Sequence, residues 1–374
     1  VFAIQDEIAA AIATELETRL TTQQSPPSTP IDIEAYSLYL KARGLVAARS
    51  ESKLIEAIEI LKTVIEMETS YAPAMATLAK AYAVLPWFSY KLPVGEARER
   101  AREWATKALN IEPYNTEALS TMGIVLSELD MNWIGARDLL KKALEANPGS
   151  VVANNFLGDL MTRTGDIDSA MKYESRAVEL DPLGPVQLTD LSNLYMLKND
   201  FRTAIQLVKR ALALDPGFFH AYRQSIAAHF YLGETEELEK ISGMLTAHPE
   251  APTDLPISVS LKRNIARGEL QQARASLERE VQRVKSGETS AAEVAFLAMD
   301  LMDFDTAGEM LSRALEEKDG TWSFPVTLRL PEQAPESQAW QKFWSNPGVS
   351  ELAELRRNNG LSPNVPTFGS GARQ

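Results

Sequence analysis

The chain has no cysteine, which removes a disulfide framework, a thiolate metal site and a cysteine nucleophile together. Such a chain suits a reducing cytoplasm, where it is expected, and a periplasm equally well. It also lacks any run of about 18 apolar residues, the length that spans a bilayer. Val1 to Leu20 is broken by Asp6, Glu7, Glu15 and Glu17, so neither a membrane span nor a signal peptide is expected there. Basic residues are outnumbered, 38 against 51 acidic ones for a net charge of -13. They alternate with the acidic residues rather than forming a block, which disfavours binding to a nucleic-acid backbone. Sustained period-two alternation is missing too, so strands should be nearly absent.

Catalytic parts are equally scarce. His220, His229 and His248 are the only histidines, and none has a second histidine at i+4 beside a glutamate, as a helical zinc site requires. His229 stands where other repeats carry Leu126, Met161 or Tyr195, which predicts a packed helix histidine. Gly369 and Gly371 form a G-x-G without a third glycine, a strand before it or a helix after it. No G-x-S-x-G elbow or G-x-x-x-x-G-K loop occurs. No catalytic residue, metal or cofactor is expected. Opposite charges four residues apart, Glu96 with Arg100 and Glu236 with Lys240, read as a solvated helix surface.

What is present is a period. Pro113, Pro148, Pro182 and Pro216 end the phrases ALNIEP, ALEANP, AVELDP and ALALDP, at spacings of 35, 34 and 34 residues. Small residues recur in phase: Gly123, Ala136 and Ala143, then Gly158, Ala170 and Ala177, then Ser192, Ala204 and Ala211. A small side chain lets two helix backbones approach closely, and proline stops the second helix of each pair. Larger residues such as Leu119, Met122, Leu140, Leu157, Leu188 and Tyr195 would fill the space around them.

Period and phrase resemble the tetratricopeptide repeat, most specifically over Thr116 to Gly217. An earlier unit, Ala72 to Pro113, shares its start and finish around about ten extra residues that include Pro86, Trp87, Phe88, Tyr90 and Pro93. Ile31 to Ser70 reads as a further pair, and three degenerate pairs follow Pro216. The fold expected is all-α: a right-handed α-solenoid of about eight helix pairs over residues 31–318, clearest at 72–217. An amphipathic helix with the stripe Ile4, Ile8, Ile12, Leu16 and Leu20, then a Ser/Thr/Pro linker, occupies residues 1–30. A cap and tail occupy residues 319–374. There, Trp322, Phe324, Trp340, Phe343 and Trp344 concentrate aromatic surface, while Asn346-Pro347 and Gly360 mark a helix start and stop.

The opening VFAIQDEIAAAIATEL, the phrase AYSLYLKAR and the closing FWSNPGVSELAELRRNNGL resemble the C-terminal repeat region of bacterial multidomain regulators. In those proteins a class III adenylate/guanylate cyclase or a winged-helix domain precedes a TolB-like module and tetratricopeptide repeats. The resemblance implies an output domain upstream of Val1. A first residue other than Met fits that expectation.

In tetratricopeptide arrays the first helices of successive pairs line a groove that holds an extended peptide or a partner helix. Counting the phase across gives outward positions at Glu117, Ser120 and Glu128, then at Asn155, Asp159 and Arg163. It continues through Thr189, Asn193 and Met196 to Arg223, Phe230 and Tyr231. These are the candidate contacts for a protein or peptide partner, which could be the chain's own upstream domain. The chaperone-type carboxylate clamp is incomplete, since Lys80 is the only lysine in that phase. Trp87, Phe88 and Tyr90 are candidates for a homodimer contact, against the alternative that their loop folds back on its own helix pair. The chain thus reads as a partner-binding segment of a signalling protein, with a free-standing scaffold or periplasmic adaptor as the alternative.

Overall fold

The computed structural model describes residues 31–88, 92–248, 254–319 and 334–360. The expected helix and linker at 1–30, Tyr90, Trp322, Phe324, the glycines at 369 and 371 and the tail from 361 lie outside the described residues. Among the described residues there are 18 α-helices, one short 3-10 turn at Leu85–Trp87 and no strand.

Sixteen of the helices form eight consecutive pairs. The first three pairs are α1 (Ile33–Ala47) with α2 (Glu51–Met67), α3 (Ala72–Val84) with α4 (Val94–Ile111), and α5 (Thr116–Glu128) with α6 (Trp133–Ala146). Next come α7 (Val151–Thr164) with α8 (Ile167–Leu180), α9 (Pro185–Leu197) with α10 (Phe201–Leu214), and α11 (Phe219–Leu232) with α12 (Thr235–Ala247). The last two pairs are α13 (Asp254–Ala266) with α14 (Leu270–Lys285), and α15 (Ala291–Asp300) with α16 (Phe304–Glu316). Two closing helices follow, α17 (Gln338–Trp344) and α18 (Pro347–Asn358).

The chain divides into two compact units, residues 1–160 with 179–181 and residues 161–178 with 182–374. In the first, α1, α3 and α5 pack on one another in turn as well as on their own partners. In the second, α9, α11, α13 and α15 do the same. Each unit is therefore layered, with neighbouring first helices in contact.

Local chemistry explains the breaks. Asn115, Asn132, Asp200 and Asp303 each accept a hydrogen bond from the backbone N–H three residues on, at 2.9 to 3.1 Å, satisfying donors that a helix start leaves open. Between pairs, Asn147 and Asp215 accept from the N–H of Gly149 and Gly217 at 3.0 and 2.9 Å, an Asx turn that carries the chain around the intervening proline. The in-phase alanines Ala136, Ala143, Ala204 and Ala211 are fully buried. At Gly123 a Cβ would lie 2.7 Å from Leu140 Cγ, so the small residue is a condition of the α5–α6 approach.

The aromatic cap closes on itself. Trp340, Phe343 and Trp344 are buried, with Phe304 of α16 edge-on to Trp340 at 5.2 Å. Gly308 makes the seat: a Cβ there would lie 2.3 Å from the backbone of Ala339 and Trp340. Ser337 caps α17 through Trp340 N at 3.2 Å and is tied to Asp305 of α16 at 2.6 Å. Asn346 caps α18 with Pro347 at its first position.

Candidate functional site

In the first unit, the face built by α1, α3 and α5 carries a linked polar set. Thr77 donates to Glu117 Oε2 at 2.6 Å, and Lys80 pairs with the other carboxylate oxygen. Burial pushes the Glu117 carboxyl up, but the charge and hydrogen bond of Lys80 and the hydroxyl of Thr77 outweigh it and hold the group below its ordinary range. Tyr39 packs edge-on to Tyr71 at 5.1 Å, with the Arg43 guanidinium 5.7 Å from its ring centre. Burial first, then the Glu117 charge, pushes the Tyr39 hydroxyl well up. Beside this set on α1, Ile33, Tyr36 and Leu40 are exposed at 87%, 36% and 45%. The spacing i, i+3, i+7 puts them on one helical face.

Lys80, the lone lysine in the clamp phase, is therefore engaged by Glu117. Glu128, counted as outward from the sequence, is instead a fully buried partner of Arg98. Ser120 is buried and donates to Thr116 O at 2.7 Å.

Most of the remaining groove candidates, counted as outward from the sequence, are buried. Asn155 is buried and Asp159 half-buried. In the second unit Arg163, Thr189, Asn193 and Met196 are buried and Arg223 is half-buried. Thr189 donates to Pro185 O at 2.7 Å, and Arg223 reaches Glu293 of α15 at 3.2 Å. Phe230 and Tyr231 sit in a core with Phe201, Tyr222, Ile226, Leu255 and Val259, and Lys262, itself paired with Asp300, lies 5.5 Å from the Phe230 ring centre. The phase counted from the middle repeats places these two rings outward. Met196 and Arg163, at the matching positions of earlier pairs, are buried as well, so the counted phase points into the packing in regular and degenerate pairs alike.

The last turn of α7 receives donors from its own turn and from α18. Gly165, at φ +82°, turns the chain out of the helix. Gly165 N–H donates to Thr162 O at 3.2 Å and Asp166 N–H to Met161 O at 2.9 Å. The next two carbonyls are served from α18: Arg356 Nε donates to Arg163 O at 2.7 Å and Asn359 Nδ2 to Thr164 O at 2.9 Å. Val349, Leu352, Ala353 and Arg356 form the buried face of α18. Sequence reasoning read this segment as part of a cap over the last repeat, whereas its C-terminal side chains reach the end of α7.

The aromatic loop turns inward where it is described. The Trp87 ring meets Phe156 edge-on at 6.5 Å, with Arg98 5.5 Å and Arg49 5.9 Å from its ring centre. His229 is packed as expected, with Nδ1 2.6 Å from Glu234 Oε2; Arg202 holds the other oxygen at 2.6 Å. Gly233, in the left-handed region at φ +76°, folds Glu234 back to that position. Lys240 pairs with Glu237 rather than with Glu236. Among the described residues no group of three or more acidic or histidine side chains could hold a metal ion, and no helix is long and apolar enough to cross a membrane.

A tetratricopeptide repeat model matches residues 132–185, from the start of α6 to the start of α9. Anaphase-promoting complex subunit 7 of Dictyostelium discoideum is 28% identical over 144 residues, 38% of this chain. The match spans 23% of that curated relative's length. Two solved structures align over most of the chain, each at 12% identity and a TM-score of 0.55. The Cut9-Hcn1 hetero-tetramer of the anaphase-promoting complex covers 86% of this chain and 56% of its own. The human IFIT1 dimer with m7Gppp-AAAA covers 95% and 77%. At that identity they show the fold alone. The match and the layered helix pairs together support a tetratricopeptide repeat protein.

Proposed function

We propose that this chain is a protein–protein interaction scaffold whose partner meets the first-helix face of α1, α3 and α5. The observation that carries this is the coexistence on one face of a fixed polar set, Thr77, Lys80 and Glu117, with the exposed apolar stripe Ile33, Tyr36 and Leu40. A half-buried charged group cross-linked between neighbouring helices is already ordered, so a partner's hydrogen bonds cost little further side-chain entropy. Exposed apolar side chains beside it supply the area that drives association. Replacing Tyr36 and Leu40 together by serine is expected to abolish co-purification of the partner from the source cell while leaving helical circular dichroism unchanged. Undiminished co-purification overturns the assignment of this face.

The finer reading is a regulatory segment of a bacterial signalling protein whose cyclase or winged-helix output domain lies upstream. It is supported by the phrases VFAIQDEIAAAIATEL and FWSNPGVSELAELRRNNGL. Partner binding would then act on the output only by favouring one arrangement of domains over another. A second reading, an assembly subunit without an output domain, is favoured by the curated relative being a subunit of a multiprotein complex. Reading the coding sequence ahead of Val1 separates them. An output domain there supports the first, and a start codon or a signal peptide supports the second.

A further inference from the structure

Helix α1 is apolar on two sides. Ala35, Tyr39, Ala42 and Val46 are buried where it packs on α2 and α3, while Ile33, Tyr36, Leu40, Gly44 and Ala47 are exposed. At 3.6 residues per turn those five fall in one narrow stripe that runs the length of the helix. None of them is charged; Glu34, Lys41 and Arg43 flank the stripe, and Lys41 is paired with Glu56 at 2.7 Å. A helix with apolar residues on both sides is ordinarily covered on both.

Glycine is a poor helix former, and Gly123 and Gly308 stand where a neighbour would strike a Cβ. At Gly44 an added Cβ meets nothing within 4 Å, so no described element uses the space this glycine leaves. The stripe is also symmetric about Leu40. Tyr36 and Gly44 lie four residues to either side of it, Ile33 and Ala47 seven. Two copies of α1 laid antiparallel about a two-fold axis at Leu40 therefore set Tyr36 of one level with Gly44 of the other, and Ile33 level with Ala47. Each large side chain meets a small residue, each such contact occurs twice, and Leu40 meets itself. A parallel pairing would set Ile33 against Ile33 and Gly44 against Gly44, crowding one end and leaving the other empty.

We propose that the exposed stripe of α1 is a self-association surface whose occupant is a second copy of this chain, antiparallel and in the register centred on Leu40. This rests on the reading of the α1–α3–α5 face as an interaction surface and names the partner that its apolar part takes. A helix of 15 residues is about 22 Å long, and one such pair stays below the roughly 1,200 Å² of a lasting interface. The contact is therefore weak, with a dissociation constant on the order of 10 to 100 µM. Each copy carries a net charge of -13, so the copies repel at long range, and added salt tightens the association by screening that repulsion. A contact held by ion pairs would loosen instead.

Sedimentation of the full chain from about 1 to about 500 µM reads the equilibrium. Gly44→Leu fills space that is open in the single chain and closed in the pair. It should leave thermal unfolding of the single chain no lower, yet weaken the dimer at least about tenfold. Tyr36→Ala should weaken it by a similar factor. The double variant, with the large residue moved to the opposite side, should return to within about threefold of wild type. Because the chain lacks cysteine, Leu40→Cys gives a second reading independent of those variants. Oxidation at high concentration should link two copies through that thiol, and Ile55→Cys, also exposed but on α2, should link none. A chain that stays monomeric throughout, or a dimer that is indifferent to Gly44→Leu and not linked through Leu40→Cys, overturns the proposal. So does an internal disulfide in Ile12→Cys/Leu40→Cys, which would make residues 1–20 the occupant. If a monomeric chain still loses its co-purifying partner in the Tyr36/Leu40 double-serine variant, the interaction-face reading stands and only the second copy falls. If the chain dimerises as expected while that variant keeps its other partners, self-association stands and those partners bind elsewhere.

Discussion

The two units present their first helices differently. On α1, α3 and α5 a polar set lies beside exposed Ile33, Tyr36 and Leu40. In the second unit the counted groove positions Thr189, Asn193, Met196, Phe230 and Tyr231 are buried, as Ser120, Glu128 and Asn155 are in the first, and none of these carries an exposed apolar stripe like that of α1. One array can therefore offer an open surface and a filled one.

The largest effect should come from the filled side. Lys262 and Asp300 are both nearly buried and paired, so Lys262→Met leaves a buried carboxylate without its cation and should cost about 3 to 5 kcal/mol in urea unfolding. On the open side, Arg100→Ala removes an exposed partner of Glu96 and should stay within about 0.5 kcal/mol. A small loss for Lys262→Met would show that the pair is solvated and the contrast between the units overstated.

Next in size are the two close approaches. Gly308→Ala drives a Cβ into the α17 backbone at 2.3 Å and should cost about 2 to 3 kcal/mol. Gly123→Ala meets the branch point of the Leu140 side chain at 2.7 Å, which can partly swing away, so roughly 1 kcal/mol is expected. Calorimetry of both variants ranks them, and the reverse order would mean that the cap yields more easily than the repeat.

A smaller effect follows acid. Glu117 has its carboxyl held low in the folded state, so its contribution is present above the ordinary carboxylate pKa. It is lost as pH falls through the depressed value. Thr77→Val should flatten the acid limb of a stability–pH curve and leave neutral stability changed by about 1 kcal/mol. An unchanged acid limb would remove Glu117 from the polar set. The smallest change is expected from Trp87→Ser with Phe88→Ser. The Trp87 ring packs on Arg98 and Phe156 of its own unit, so solution mass should not change, and a fall from dimer to monomer would reassign that ring to a copy-to-copy contact.

The helix pairs were legible because the rules that set them are local or periodic. Pro148 and Pro216 end helices wherever they stand, and Ala143 or Ala211 must be small because a second backbone passes there. His229 was legible as a packed residue for the same reason. Its partner Glu234 was not, since a pairing five residues on depends on the left-handed turn at Gly233. Phe230 and Tyr231 were misplaced because the counted phase marks positions that turn into the packing, as buried Met196 and Arg163 show in earlier pairs. Arg356 on Arg163 lies 193 residues away, and nothing periodic announces such a contact. Gly308 likewise looks ordinary until the α17 backbone is seen against it.

The central claim is that partners meet the first helices of the open unit. A photo-crosslinking residue at Leu40, and separately at Ile55 on α2, would test it most directly in the source cell, because both are exposed apolar positions of one helix pair at 45% and 38%. The account predicts higher-mass adducts from the Leu40 position and none from Ile55. Adducts from Ile55 alone, or equally from both, would contradict it.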